Sequence, residues 1–358
     1  MEISNEVFQT SEKAAMDWLI YASKMKEYRG IPHSRCMCLP EFIAWTSSYP
    51  ETSGYLIENF LERNIHDPEL QYFLVTKTAV WLFEQQSPDG YFYAGLKKQN
   101  PSIFNTAQII GGLHILNKKN QNEEYRDQII KAYNWCIAQI NKDGSWQEGL
   151  YVDSWFPVYY VHALWKFIDT DIYYFDGKNL NLLTKSYTYL LDKAQKELYK
   201  NCSFYPNTSC LSHTLAYALE GFLECAKLIK DEDTIQWVYK KLREMNERSL
   251  GGNKFPAEFH SKTKWDTSYI CTTGHAQFAS LYYQVYADLK EPWAILTAEQ
   301  LMHKLINIQY KNKHPGINGA FPASYPIWKP YFPFRIVNWT QKFFLDACWR
   351  RRELVVST

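Results

Sequence analysis

Six segments of the chain, 11–28, 68–86, 123–140, 182–199, 231–247 and 292–310, carry apolar residues at three- and four-residue spacing with charges between them. That period predicts amphipathic helices, each with one face to bury. Asp67-Pro68 and Glu291-Pro292 set an acidic residue before a first-turn proline, a combination that starts helices. Between these segments lies a second set. The stretches 214–228, 274–286 and 340–349 are apolar on nearly every side, which predicts helices enclosed all round. Polar openings lead into the inner stretches at Pro50-Glu51, Asn105-Thr106, Asp153-Ser154, Ser212-His213, Thr272-Thr273 and Asn338-Trp339. Markers at 51, 105, 154, 212, 272 and 338 lie 54, 49, 58, 60 and 66 residues apart, enough for two helices and a long loop. Six such hairpins, polar outside and apolar inside, predict an all-α fold: an (α/α)6 toroid of two concentric helix rings.

Composition refines this picture. No Ser/Gly-rich, Pro-rich or single-charge run interrupts the hairpin rhythm, so residues 1–358 are expected to form one toroid domain. Lys plus Arg number 39 against 38 Asp plus Glu, which leaves no electrostatic footprint for nucleic acid or an anionic membrane surface. Residues 1–6 lack the basic and apolar regions of a signal peptide, and no apolar run is long enough to span a bilayer. A cytoplasmic protein without membrane insertion is expected. Of the eight cysteines, Cys136, Cys225 and Cys348 fall in apolar helical segments and read as reduced core residues. Cys36 with Cys38 and Cys202 with Cys210 are the exceptions to watch, and no structural disulfide is expected.

The segment 81–92 ends in Gln-x-x-x-Gly-x-aromatic, from Gln86 through Gly90 to Phe92, and Gln139, Asp143, Gly144 and Trp146 repeat it with one extra residue. An Asp-Gly turn there ends the outer helix, the aromatic packs back on the hairpin and the Gln ties helix end to loop. These segments resemble the QW-type repeats of squalene and oxidosqualene cyclases and prenyltransferase β subunits. Over nearly its full length the chain is also similar to a group of toroid proteins associated with bacterial polysaccharide-biosynthesis gene sets. The resemblance implies the toroid and that biosynthetic setting. It carries no particular activity.

In a ring of hairpins the inner-helix starts and the long loops share one face, so polar residues there converge on the mouth of a central cavity. Helix N-termini add partial positive charge and free N–H groups, which suit an anionic or hydroxyl-rich ligand. Several inner helices continue a polar track inward on one face: Glu51, Tyr55 and Glu58; His213, Tyr217 and Glu220; Tyr159 with His162; Asn338, Lys342 and Asp346. Glu51, beside Thr52, Ser53 and Tyr55, is a candidate acid or base, although a carboxylate also favours a helix N-terminus for its own sake. His213 follows Ser212, a good N-cap, so its imidazole is expected at the rim. Glu220, two turns inside an apolar helix, must pair, protonate or face a wet cavity, and Asp346 reads as a buried partner of Lys342. The densest polar cluster is Glu258, His260, Lys264, Trp265 and Asp266, followed by His275 and Gln277. The rigid aromatic loop 315–326 is expected to cover one edge of the cavity.

The expected catalytic residues are therefore Glu51, His213, Glu220 and His275. Substrate contacts are expected from Tyr55, Asn105, Gln108, Asp153, Tyr205, Tyr217, Glu258, Trp265, Asp266, Gln277, Trp339 and Lys342. Cys210 with His213 and Cys271 with His275 place two thiol/imidazole pairs at neighbouring inner-helix starts, four ligands for a tetrahedral zinc. Neither the spacing nor the surroundings reproduce the ligand sets of prenyltransferase β subunits or lanthionine cyclases, so no metal and no cofactor is expected.

Three functions compete. The first is a carbohydrate-active hydrolase, lyase or epimerase on a bacterial glycan or precursor, with an anionic or lipid-linked sugar among the expected partners. The second is a terpenoid cyclase or prenyltransferase, although Asp169-Thr170-Asp171 stops short of an Asp-x-Asp-Asp motif and no Asp-Asp-x-x-Asp site occurs. The third is a non-catalytic glycan-binding or assembly protein. An aromatic, carboxylate-poor cavity would favour the second, and a shallow blocked one the third. The carboxylates and histidines of the polar track favour the first.

Overall fold

In the computed structural model, residues 4–62, 67–97 and 100–356 are described; residues 1–3, part of the N-terminal segment weighed above, lie outside them. In chain order the helices are α1 (Asn5–Lys24), the single turn α2 (Glu41–Ala44), α3 (Pro50–Glu62), α4 (Pro68–Gln85), α5 (Ile103–Asn120), α6 (Glu123–Ala138), α7 (Val161–Phe175), α8 (Leu180–Asn201), α9 (Ser212–Ile229), α10 (Glu232–Arg248), α11 (Thr272–Leu289), α12 (Pro292–Ile308) and α13 (Asn338–Val356). Helices α3, α5, α7, α9, α11 and α13 each pack on the next, and α13 returns to α3, which closes an inner ring. Helices α4, α6, α8, α10 and α12 pack outside the inner helix that precedes them, while α1 packs on α13. The two ends of the chain thus form one hairpin between them. Strand Ser34–Cys36 pairs antiparallel with Arg335–Val337 beside that junction, and Asn338 Nδ2 donates to Pro32 O and Thr52 Oγ1, each at 2.8 Å.

Close approach between inner helices depends on missing side chains. A Cβ on Gly112 of α5 would lie 1.9 Å from the Gly54 carbonyl oxygen of α3, and one on Gly221 of α9 would lie 2.5 Å from the His162 nitrogen of α7. Outer helices start where their capping chemistry says they should. Asp67 accepts from the Glu69 and Leu70 amides at 3.0 Å ahead of Pro68. Ser4 caps α1 by accepting from the Val7 amide, so this helix begins before the expected residue 11.

The third inner helix departs from expectation. It begins at Val161 behind a 3-10 turn at Val158–Tyr160, not at Asp153-Ser154. Ser154 takes a left-handed φ of 61°, and Pro157 holds an extended conformation, so the chain turns there instead of coiling. The first QW-like segment works as a local clamp: Gln86 Nε2 donates to the Gly90 and Gln128 carbonyls, at 2.8 and 3.1 Å. In the second, Trp146 packs forward onto the next hairpin, against Phe156 and Phe167 and donating to Ser186 Oγ of α8 at 3.0 Å, and Gln139 Nε2 turns to Trp135 O in its own helix. All eight cysteines are free thiols. No described helix is long and apolar enough to cross a membrane.

Candidate active site

The beginnings of α3, α5, α9 and α13, with the residues just ahead of α7, enclose a cavity of about 430 Å³. Later turns of all six inner helices line a second compartment of about 50 Å³, so the six run in the same direction. The upper wall is largely aromatic, with Tyr55, Phe104, Tyr159, Tyr217, Tyr331 and Trp339 among its residues. Ligand pockets of roughly 300–1,000 Å³ with a few converging polar groups are the usual place for chemistry.

Glu51, the second residue of α3, lines this cavity. Burial raises its carboxyl to about 7, against the pull of a hydrogen bond from the Tyr49 hydroxyl. That hydroxyl is itself fixed, accepting from Asn105 Nδ2 at 2.9 Å and the Gly95 amide at 3.3 Å. His213, the second residue of α9, stands on the same wall with Nδ1 2.7 Å from Gln277 Oε1 on α11. An amide oxygen can only accept, so Nδ1 carries the proton and Nε2 the lone pair. Burial lowers the imidazole to about 4, which keeps it neutral at physiological pH. His33 also lines the cavity; burial, and then the charge of Arg335, lower it to about 4.

Tyr217 anchors an aromatic floor, with ring centroids 4.5 Å from His213, 4.6 Å from His162, 5.4 Å from Phe104 and 5.6 Å from Phe343. Beneath it Glu58, Lys166, Glu220, Lys342, Asp346 and Arg350 line the lower compartment. Glu220 Oε2 lies 3.5 Å from His162 Nε2, and its other oxygen 4.0 Å from Arg350. Burial alone would raise the Glu220 carboxyl, but its contact with His162 and the charges of Arg350 and Lys342 together hold it low. Lys342 contacts Asp346 and sits 3.8 Å from Glu58.

The expectation that Glu220 shares a site with Glu51 is therefore not met, because two helical turns carry it through the floor into an ionic layer. Gln108 and Lys342 belong to that layer as well, Gln108 Nε2 lying 3.1 Å from His162 Nδ1.

His275 is corrected too. It sits in the first turn of α11, at the cavity end, but its ring is fully buried against Phe255 at 5.3 Å, with Nδ1 3.1 Å from its own Cys271 carbonyl. Gln277 uses the face of α11 that meets His213, and two residues at about 100° each turn His275 to the opposite side. The dense cluster is spent locally. Glu258–Phe259 pairs with Cys210–Leu211 and with Trp265–Asp266; Glu258 accepts from the Ser209 and Tyr269 hydroxyls, Trp265 stacks 4.0 Å from Arg248, and Asp266 accepts from the Ser268 amide at 2.7 Å. None of Glu258, Trp265 and Asp266 lines the cavity, and Asp153 lines a separate surface recess with Trp135 and Gln139. The cavity edge assigned to 315–326 is covered instead by Pro330, Tyr331, Phe332 and Pro333. Among the described residues no group of three His, Cys, Asp or Glu side chains is placed to hold a metal ion.

Tyr55, Asn105, Tyr205, Tyr217 and Trp339 do line the cavity with Glu51 and His213, and Gln277 reaches it through His213. Sequence reasoning missed His33, Tyr49, Tyr151, Tyr160 and Tyr331 as wall residues. Tyr160 ends the 3-10 turn ahead of α7 and the others come from loops, where no periodicity marks which way a side chain faces.

No protein-family model matches the chain, and no curated protein matches it in sequence. Solved structures do share its fold. An unsaturated glucuronyl hydrolase specific for heparin superposes with a TM-score of 0.76 over 99% of this chain and 99% of that one, at 13% identity. A sugar epimerase from a ruminal bacterium gives 0.71 over 96% and 98% at 11% identity, and the cellobiose 2-epimerase of Bacillus thermoamylovorans 0.70 over 96% and 98% at 13%. The fold is an (α/α)6 toroid.

Proposed function

We propose that the chain is a carbohydrate-active enzyme that moves protons on a sugar held in the central cavity, with Glu51 and His213 as its acid–base pair. The observation that carries the proposal is a carboxyl near 7 and a neutral imidazole on the wall of one aromatic cavity. A carboxyl poised near working pH both gives and takes a proton, and the lone pair on His213 Nε2 makes the imidazole a base. Phenol rings offer stacking faces and hydroxyls to a sugar, a task assigned here to Tyr55, Tyr205 and Tyr217 with Asn105 and Trp339. Gln277 orients the imidazole. The sugar hydrolases and epimerases of like fold support this by analogy.

Among the three reaction types, lyase and epimerase chemistry fit better. Ordinary glycoside hydrolysis uses two carboxyl groups across the scissile bond. Among the described residues Glu51 is the one carboxylate on the cavity wall. A bacterial glycan, or its free or lipid-linked precursor in the cytoplasm, is the substrate setting taken from the sequence resemblance.

One observation favours the second reading: an aromatic wall with a single carboxylate is what a terpenoid cyclase would present. The sugar reading accounts better for the row of phenol hydroxyls. Proton NMR of the full chain with a panel of neutral and acidic disaccharides separates the two. The proposal expects new anomeric signals from the wild type, slowed a hundredfold or more in Glu51→Gln and His213→Ala although both variants remain folded. Inertness toward every sugar together with turnover of a polyprenyl substrate would replace the proposal with the cyclase reading.

A further inference from the structure

We infer that the cavity takes an uncharged sugar and discriminates against one that carries a carboxylate, phosphate or sulfate. The inference rests on the carbohydrate reading above and deepens it to a substrate class. Apart from Glu51, the polar side-chain groups on the wall are hydroxyls, the Asn105 amide, the imidazoles of His33 and His213 and the Trp339 indole, which donates to the Tyr331 hydroxyl at 2.7 Å; among the described residues no Lys or Arg lines it. An anion taken out of water needs a paired cation or several convergent N–H donors.

The cations inside the barrel are engaged elsewhere. Lys166, Lys342 and Arg350 lie below the aromatic floor, where Lys342 meets Asp346 and Glu58, and Arg350 meets Glu220. Arg335, whose charge acts on His33, donates from Nη1 to Ser34 Oγ at 3.1 Å and does not line the cavity.

Helix N-termini are the other source of anion-binding capacity, and at four of the six inner helices the first amide already has an acceptor. Ile103 N donates to Gly149 O at 2.9 Å, Ser212 N to Ala257 O at 2.8 Å, Thr272 N to Ala323 O at 3.2 Å and Asn338 N to His33 O at 3.3 Å. Loop carbonyls thus take up part of this capacity at four of the six inner helices. An acidic sugar would find no cation on the wall among the described residues and would meet the Glu51 carboxyl, whereas a neutral one keeps its hydroxyl bonds and stacking. Two of the structures with this fold are named for an acidic sugar and for a neutral disaccharide respectively, and the wall described here suits the neutral one.

The test is isothermal titration of the full chain with matched pairs: cellobiose, lactose and mannobiose, each beside the same disaccharide with its terminal C6 oxidised to a carboxylate. The expected result is saturable binding of at least one neutral member, with its oxidised partner at least tenfold weaker. An oxidised partner that binds as well or better would overturn the inference and leave the carbohydrate reading standing. Binding of neither member of any pair, with the protein folded, would overturn both.

Discussion

Replacing Glu51 by Gln should make the protein more stable in mild alkali, the opposite of what losing a structural ion pair does. The carboxyl is raised by burial from 4.5 to about 7. Across that window the unfolded chain releases this proton while the folded chain keeps it, so the wild type loses stability as pH rises from about 4.5 to 7. At about 1.36 kcal/mol per pKa unit the difference is roughly 3 kcal/mol, and screening at a carboxyl that borders an open cavity brings it to about 2 kcal/mol. Gln keeps the volume and an acceptor for the Tyr49 hydroxyl, yet has no charge to bury. With an unfolding entropy of roughly 2.1 cal/mol/K per residue, a chain of 358 residues converts that energy into about 3 °C. Thermal melts of both proteins from about pH 4 to 8 provide the assay: the curves should coincide at the acid end, part between about pH 4.5 and 7 and stay apart above that, with the variant higher. A variant that melts with or below the wild type at about pH 8 would refute the burial argument, and with it the reason for treating Glu51 as a tuned acid.

Glu220→Gln should lower stability by roughly 1–3 kcal/mol in denaturant melts, because it removes the carboxylate beside His162 and one of the two that face Arg350, while turnover stays within a fewfold of wild type. Gln277→Glu should move the pH–rate profile upward, since a carboxylate beside His213 favours the imidazolium; Gln277→Ala should lower kcat about tenfold with little change in KM, and an unmoved profile in both would count against a positioning role. Gly112→Ala should cost roughly 1–3 kcal/mol in the same melts, because a methyl 1.9 Å from the Gly54 carbonyl forces the α3–α5 seam apart.

The toroid was legible because burial imposes a period on every helix, and the polar openings mark where five of the six inner ones begin. The third opening was misplaced where Ser154 turns left-handed and Pro157 holds the chain extended, two local conformations that the hairpin spacing does not encode. Glu51 and His213 were legible for the same reason as the helices: each is the second residue of an inner helix, and the cavity lies at that end. Position along a helix axis says nothing of rotation about it, which is why His275 points away from the cavity, whereas Glu220 shares the His213 face but lies two turns deeper, below the floor. The Glu258 to Asp266 cluster misled by density, since a short hairpin needs its own hydrogen bonds and uses these residues to make them. His33 and Tyr331 reach the wall from loops near opposite ends of the chain, a juxtaposition that only ring closure creates.

The most direct test of the acid–base assignment is a crystal structure of the Glu51→Gln variant with the disaccharide that the wild type turns over fastest. The account predicts the sugar inside the central cavity, stacked on the tyrosine wall, with reacting groups within about 3.2 Å of both the residue 51 amide and His213 Nε2. A sugar bound outside the ring, or one inside it that reaches neither side chain, would contradict it.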